Sequence, residues 1–460
     1  MKKQTFVESS TVPVTLDRLW EWHMSPGAFE RLMPPWQTVE PLDLPEVPGE
    51  GQRAVFNIRT GPLKKRWEAL LGPVEPPHRF VDTQERGPFA AWRHEHRMRA
   101  TGENEAVLSD EVEFSLPVGL GTIPLFRNLA GKELERLFRF RHRRMTEDLG
   151  RFPETLPGKG RTVLVTGSRG FIGQRLVPYL RTLGYTVRGL SRSRPGEGTY
   201  LWDPAGGEVD PEALDGVDGV IHLAGEGIAS GRWTAERRRR ILESRREGTR
   251  TLVKAMARTT PAPKVLVSAS GVNFYAGREG TQEEGAPLGE GFLAEVCDVW
   301  EGEARVAEES GIRTVLVRTG VVLDPSGGAL GKMLPAFKAG LGGPIGNGRQ
   351  GFPWIAMDDL LDIYERGLRD PDLTGPVNAV HPEPISQGSF SRSLGHVLGR
   401  PAILPLPASM VKLLFGRMGE ETLLADLDIR PGVLVEKKHA FRSRSVQDAL
   451  GFLLGKTPAE

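Results

Sequence analysis

Cysteine is almost missing from this chain: Cys297 is the sole thiol in 460 residues. A lone thiol forms no internal disulfide and no cysteine-rich metal centre, which fits a reducing, cytoplasmic setting. Long apolar runs are also missing, and none approaches the ~20 residues of a membrane span. The basic start Met1-Lys2-Lys3 is followed by Glu8, Ser9 and Ser10, where a signal peptide needs an apolar core. Neither charge is in excess. Lys and Arg number 60 against 59 Asp and Glu, so the chain as a whole does not read as a nucleic-acid binder. There is no internal repeat. The expectation is a soluble cytoplasmic protein of two or three domains, at ~150 residues per domain.

What is present divides at the breaker-rich stretch 153–160, Pro153-Glu154-Thr155-Leu156-Pro157-Gly158-Lys159-Gly160. Before it, a strand and a helix carrying Leu19, Trp20 and Trp22 lead into alternating runs. Trp92, His94, His96 and Met98 share one face of a predicted strand, and Leu108, Asp110, Val112 and Phe114 share one face of another. A long helix through Leu134, Phe138, Met145 and Leu149 closes the region. Strands followed by a closing helix indicate an α+β domain over 1–152, with a cavity where a curved sheet wraps the helix. His94 and His96 lack a third obvious ligand, so no metal site is expected, and they read as cavity lining or core. After the linker, buried strands at 161–165, 185–190, 219–223, 264–267 and 313–317 alternate with helices. That rhythm predicts a doubly wound parallel α/β sheet over 161–381, followed by a small subdomain of turns and short helices over 382–460.

The strand ending at Thr166 runs into Gly167-Ser168-Arg169-Gly170-Phe171-Ile172-Gly173. Gly167 allows the tight turn, Gly170 the approach of a pyrophosphate, and Gly173 close packing of the helix that follows. Strand, glycine turn and helix together predict a Rossmann phosphate loop. Pro178 inside that helix predicts a mild kink. At the end of the second strand, where an acidic residue would hold the ribose of NAD, the sequence reads Ser191-Arg192-Ser193-Arg194. Arg192 and Arg169 are suited to a 2′-phosphate, so the expected cofactor is NADP(H). Arg245 falls on the apolar stripe of Leu242, Thr249 and Leu252, which points it inward. Its expected partner is a cofactor or substrate anion, or else an internal salt bridge. The run Arg237–Arg240 reads as a solvated helix face.

Together with His222-Leu223-Ala224-Gly225-Glu226, Ser268-Ala269-Ser270, Cys297-Asp298-Val299-Trp300-Glu301, Arg318-Thr319-Gly320 and Gly346-Asn347-Gly348-Arg349-Gln350, these residues resemble the atypical branch of extended short-chain dehydrogenase/reductases called epimerase-family proteins. The resemblance covers essentially Arg161 to Leu454. It implies cofactor contacts from Leu223, Ala224, Gly225, Arg245 and Ser268, beside Ser191 and the loop residues. The N-terminal region separately resembles a START-like (SRPBCC) helix-grip domain, through Pro34-Pro35-Trp36, Gly87-Pro88-Phe89 and Trp92-Arg93-His94-Glu95-His96. Such domains enclose hydrophobic ligands.

Reductases of this superfamily protonate the alkoxide left by hydride delivery with a tyrosine, whose pKa a nearby lysine lowers from ~10. By the resemblance, Leu293 stands where that tyrosine would be and Cys297 where the lysine would be. Ser270 matches the upstream serine, with Ser268 next in line, and Arg245 replaces the usual asparagine. Tyr275 is the best remaining phenol, while Cys297 reads either as a site residue or as an inert core thiol. Two functions stay open. One is an NADP(H)-dependent oxidoreductase or epimerase-like enzyme acting on a small hydrophobic molecule, with Trp354 and Asp358 on the substrate side. The other is a catalytically weak NADP-binding sensor or scaffold. Homo-oligomerisation is left open.

Overall fold

Period-two alternation demands strands that bury one face, and the N-terminal region supplies seven of them. The computed structural model describes residues 3–60, 63–119, 122–193, 196, 198–229 and 231–456. They form two compact units, one up to Lys159 with Arg181–Gly184 and a short stretch from Phe452, the other comprising the rest.

In the first unit β1 (Gln4–Val12), α1 (Leu16–Met24) and α2 (Ala28–Arg31) precede β2 (Thr38–Asp43), β3 (Arg53–Thr60), β4 (Leu63–Glu75), β5 (Arg79–Arg86), β6 (Ala91–Gly102) and β7 (Glu105–Ser115). The 28-residue helix α3 (Pro124–Arg151) closes it. The sheet order is β1-β7-β6-β5-β4-β3-β2, antiparallel throughout. Register places Trp92, His94, His96 and Met98 of β6 opposite Phe114, Val112, Asp110 and Leu108 of β7. Their shared face is covered by α3, whose Leu134, Phe138, His142, Met145 and Leu149 are buried. Two apolar clusters result. Trp67, Trp92, Val112, Phe114 and Phe138 make one; Val12, Leu19, Trp22, Met98, Leu108, Met145 and Leu149 make the other. On the opposite face Glu95 is buried beneath three arginines, with Arg79, Arg93 and Arg97 at 2.6, 2.5 and 2.7 Å. They hold its carboxyl down at about 2 against the pull of burial.

The second unit is built on β8 (Thr162–Thr166), β9 (Thr186–Ser191), β10 (Thr199–Asp203), β11 (Glu208–Val209), β12 (Gly219–His222) and β13 (Val265–Gly271). Past β14 (Thr281–Gln282) come β15 (Arg313–Thr319), β16 (Val321–Leu323), β17 (Trp354–Ala356) and β18 (Gly375–Ala379). The main sheet runs β11-β10-β9-β8-β12-β13-β15-β18, parallel except for β11. The chain winds outward from β8 and then returns to β12. The β8/β12 junction is therefore the topological switch point, where ligands of such sheets bind. Helices α4 (Gly173–Thr182), α5 (Ala235–Arg258), α6 (Phe292–Arg305), α7 (Gly328–Lys338) and α8 (Met357–Arg369) follow in order, and α4 continues as one helix through Pro178. Beyond β18 come α9 (Gln387–Leu398), α10 (Ala408–Phe415), α11 (Arg417–Thr422), the short β19 (Asp428–Ile429) paired with β14, α12 (Gly432–Glu436) and α13 (Val446–Leu453). Strands β10, β11 and β18 exceed the sequence expectation. β18 reads Gly375-Pro376-Val377-Asn378-Ala379, and its proline is tolerated because the strand lies at the sheet edge.

Candidate active site

At the end of β8 the turn needs three glycines for three different reasons. Gly167 has φ +66, and a Cβ there would lie 3.0 Å from the Leu223 carbonyl carbon. The Gly170 amide bonds the Gly167 carbonyl at 2.8 Å, closing the turn. A Cβ on Gly173 would stand 2.2 Å from the Gly167 oxygen, so only glycine lets α4 start so close to the strand. The helical pattern is already set by Gln174 bonding back to Gly170 and Leu176 to Ile172, at 3.0 and 2.9 Å. Ser168 fits beside Gly189 of β9, where a Cβ would meet its Oγ at 3.0 Å. The Phe171 ring packs on Gly327 and Gly328. Gly170 and Arg169 are exposed at the helix mouth, where the α4 amides and dipole favour an anion.

A buried chain ties this loop to β12. Thr166 Oγ1 accepts from the Leu223 and Ala224 amides at 3.1 Å each and lies 2.7 Å from His222 Nδ1. His222 Nε2 lies 3.0 Å from Thr249 Oγ1 on α5. With its hydroxyl proton directed at Nδ1, Thr166 fixes the neutral Nε2–H tautomer. Burial, followed by the Arg245 charge, pushes His222 down to about 3. It is a neutral strut at physiological pH.

Arg245 is 9 % exposed and, among the described residues, has no carboxylate ion pair. Its Nη1 donates to the Glu226 and Ile241 carbonyls at 3.0 Å each, and its Cζ lies 4.6 Å over the Trp300 ring. A Cβ on Gly225 would lie 3.0 Å from that Cζ, so glycine here keeps the guanidinium against the backbone. Burial lowers its pKa to about 10, and it remains charged at neutral pH. Of the two expected partners, a salt bridge and a ligand anion, the salt bridge is not formed among the described residues. At the end of β9, Ser191 is half-buried and Arg192 exposed; Arg194 lies outside the described residues.

The expected catalytic residues are drawn into one buried network. Ser270 Oγ donates to Glu301 Oε1 at 2.8 Å. Glu301 is gripped by Arg318 through two bonds of 2.7 Å. Arg318 Nη1 then donates to the Tyr275 hydroxyl at 2.6 Å, and that hydroxyl donates to Asn378 Oδ1 at 2.8 Å. The Tyr275 proton is thus committed, and burial raises its pKa. Ser268 is fully buried and bonds the Ala269 carbonyl at 3.3 Å. Cys297 is a buried thiol 3.5 Å from the Gly271 carbonyl, pushed up to about 11 by burial and then by Glu301. Leu293 is buried, and its amide is held by Glu421. Trp354, expected on the substrate side, is fully buried and stacked on His381 with centroids 4.2 Å apart; Asp358 is buried in the first turn of α8. Both belong to the core rather than to an open pocket wall. Glu301 and Arg318 stood in the motifs of the resemblance without a role, and Asn378 was not singled out, because their link is made only when β13, β15, β18 and α6 come together.

A glycine-turned phosphate loop at the switch point, with a charged and carboxylate-free arginine buried nearby, defines a Rossmann-type dinucleotide domain. The residues present fit a nicotinamide dinucleotide: an exposed glycine mouth for the pyrophosphate and a cationic edge without a ribose-binding acid. The chain belongs to the NAD dependent epimerase/dehydratase family, whose profile matches residues 163–379, and its cofactor is of the NAD(P)(H) class. It is 37 % identical over 292 residues to epimerase family protein Mb2239 of Mycobacterium bovis, which covers 63 % of this chain and 96 % of that one. Among solved structures it resembles the nucleoside-diphosphate sugar epimerase of Corynebacterium glutamicum, with TM-score 0.80 and 30 % identity over 98 % of this chain and 90 % of that one. It also resembles human epimerase family protein SDR39U1, determined with NADPH, with TM-score 0.58 and 35 % identity over 63 % of this chain and 97 % of that one.

Proposed function

We propose that the chain is an NADP(H)-dependent oxidoreductase or epimerase-like enzyme of the short-chain dehydrogenase type, acting on a small hydrophobic molecule. The observation that carries this reading is Arg245, a buried cation whose protein partners are neutral carbonyls and a ring face. Such a charge is stabilised by an anion, and a phosphate or a developing oxyanion meets that need. Arg169 and Arg192, with no acid at the end of β9, support NADP(H) over NAD(H), as does the human relative crystallised with NADPH. We also read the N-terminal unit as START-like, on its seven-stranded antiparallel sheet covered by one long helix.

When bound, the cofactor supplies or accepts hydride. The chain itself orients the loop through Thr166 and His222, holds negative charge at Arg245, and keeps the Cys297 thiol protonated beside Ser270 and Gly271. That thiol is the proton carrier in this reading. A thiol held near 11 is poorly matched to neutral pH, and loss of a tuned general acid costs ~10²–10⁴ in rate. Slow turnover follows. The commitment of Ser270 and Tyr275 to the Glu301–Arg318 network favours a second reading, a cofactor-binding sensor with little chemistry. Single-turnover oxidation of bound NADPH across a panel of hydrophobic carbonyl compounds separates the two. Carbonyl-dependent oxidation, lost in Arg245→Met, supports the enzyme. Failure across the panel, together with ligand-dependent changes in NADPH affinity, supports the sensor.

A further inference from the structure

The inner face of the N-terminal sheet changes character halfway along its strands. On β6 the order is Trp92, His94, His96, Met98; on β7 it is Phe114, Val112, Asp110, Leu108. α3 follows suit with Phe138, His142 and Met145. A layer of histidine and aspartate therefore crosses the core between the two apolar clusters, at positions where apolar residues would pack without cost. Buried ionisable groups lower stability unless they are paired or coordinate a metal.

The geometry of this layer is specific. The His94 and His96 rings stand side by side, centroids 3.9 Å apart. Asp82 Oδ2 lies 3.0 Å from His94 Nδ1 and 3.8 Å from His96 Nε2. Asp110 Oδ1 lies 2.7 Å from His96 Nδ1 and 3.4 Å from His94 Nε2. The two carboxylates thus face opposite edges of the rings, and on the Asp110 edge His94 Nε2, His96 Nδ1 and Asp110 Oδ1 are buried without a hydrogen-bond partner. On the Asp82 edge the separations of 3.0 and 3.8 Å bracket the edge of a tetrahedral site, ~3.3 Å for metal–ligand bonds of ~2.0–2.1 Å. One ligand atom from each of Asp82, His94 and His96 lies within 4.8 Å of the others. Asp82 has the outer support expected of a ligand, and Asp110 is itself held. Asp82 Oδ1 accepts from Trp92 Nε1 at 3.4 Å, and Asp110 Oδ2 meets His142 Nε2 at 3.0 Å, with His142 Nδ1 2.9 Å from Ser10 Oγ. The Asp82 side chain is 21 % exposed, which gives an ion a way in and leaves a position for water.

We propose that the N-terminal unit binds one divalent transition-metal ion of the zinc class through His94 Nδ1, His96 Nε2 and Asp82 Oδ2, with water completing the donor set and Asp110 facing the opposite ring nitrogens as their outer partner. Two imidazoles with a carboxylate select Zn²⁺, Co²⁺ or Ni²⁺ over Ca²⁺ and Mg²⁺, which take all-oxygen shells. Arg141, half-buried on α3 and acting electrostatically on both carboxylates, competes for the same negative charge, so the nitrogen ligands must supply much of the affinity.

The test uses the full-length chain freed of metal with a chelator and titrated with Co²⁺, read by visible d–d absorption and by metal content after gel filtration. The expected result is one Co²⁺ per chain, displaced by Zn²⁺ and not by Mg²⁺. Binding is lost in the His94→Gln/His96→Gln double variant and retained in His396→Gln, which changes an exposed histidine elsewhere. Trp92→Phe, which keeps an aromatic ring in the core and removes the Nε1 donor to Asp82, weakens binding ~10–100-fold while the fold, checked by circular dichroism, stays intact. Absence of stoichiometric binding in the wild-type chain overturns the proposal, as does binding that survives the double variant. In either case the layer is an ion-pair cluster only.

Discussion

Arg245 concentrates the energetic argument into one side chain. Its carbonyl partners satisfy hydrogen-bonding capacity but do not neutralise its charge, and the Trp300 face adds a cation–π contact of ~0.5–2 kcal/mol. Replacing it with methionine keeps the apolar stem and removes the charge. Hydrogen bonds to charged groups contribute ~1.5–3 kcal/mol. Arg245→Met is therefore expected to weaken NADPH binding or that of an anionic substrate by ~10–100-fold, while the melting temperature of the free protein changes little. Fluorescence titration of NADPH and of the substrate checks this, and unchanged affinity for both contradicts it. The inward aim of Arg245 was legible from its spacing with Leu242, Thr249 and Leu252. Its lack of an acidic partner was not, because that depends on what α6 and the loop after β12 bring near it. Tyr275 makes the converse point: it is the obvious phenol in the sequence, and the fold commits it to Arg318 and Asn378.

At the scale of elements, β8, its glycine turn and α4 act as one part. Gly173→Ala places a Cβ 2.2 Å from the Gly167 oxygen and 2.7 Å from Ser168 backbone atoms. Backbone cannot swing aside as a side chain does, so α4 must retreat from the strand and widen the phosphate turn. Loss of measurable NADPH binding in calorimetry is the expected outcome, and full affinity would contradict this account of the turn. The strut from Thr166 through His222 to Thr249 carries a pH dependence. His222 is pushed from 6.5 down to about 3 in the folded chain, so between these values the unfolded chain binds the extra proton. The stability contributed by neutral His222 is complete above ~6.5 and is lost as pH falls toward about 3. Urea unfolding from pH 7 to pH 4 is expected to show a falling midpoint for the second unit, flattened in His222→Gln. Identical slopes in the two proteins would contradict it.

On the scale of the whole molecule, contiguous signals were readable and assembled ones were not. The strand–glycine–helix run declares itself within about a dozen residues because turn, phosphate seat and helix start are neighbours in sequence. The faces of β6 and β7 were likewise readable from period two. The meeting of Asp82 with His94 and His96, or of Ser270 with Glu301, Arg318 and Asn378, depends on register between strands and on helix docking, which no local pattern encodes. β18 was missed because its Gly-Pro start suppresses the strand signal that an edge position tolerates. The central claim remains that the chain is built around NADP(H). Equilibrium titration of the purified protein with NADPH and NADH under one set of conditions tests it most directly. Pairing of Arg169 and Arg192 with a 2′-phosphate predicts NADPH binding tighter by at least ~10-fold, the effect of ~1.5 kcal/mol from a charged hydrogen bond. Equal affinities, or tighter binding of NADH, would contradict it.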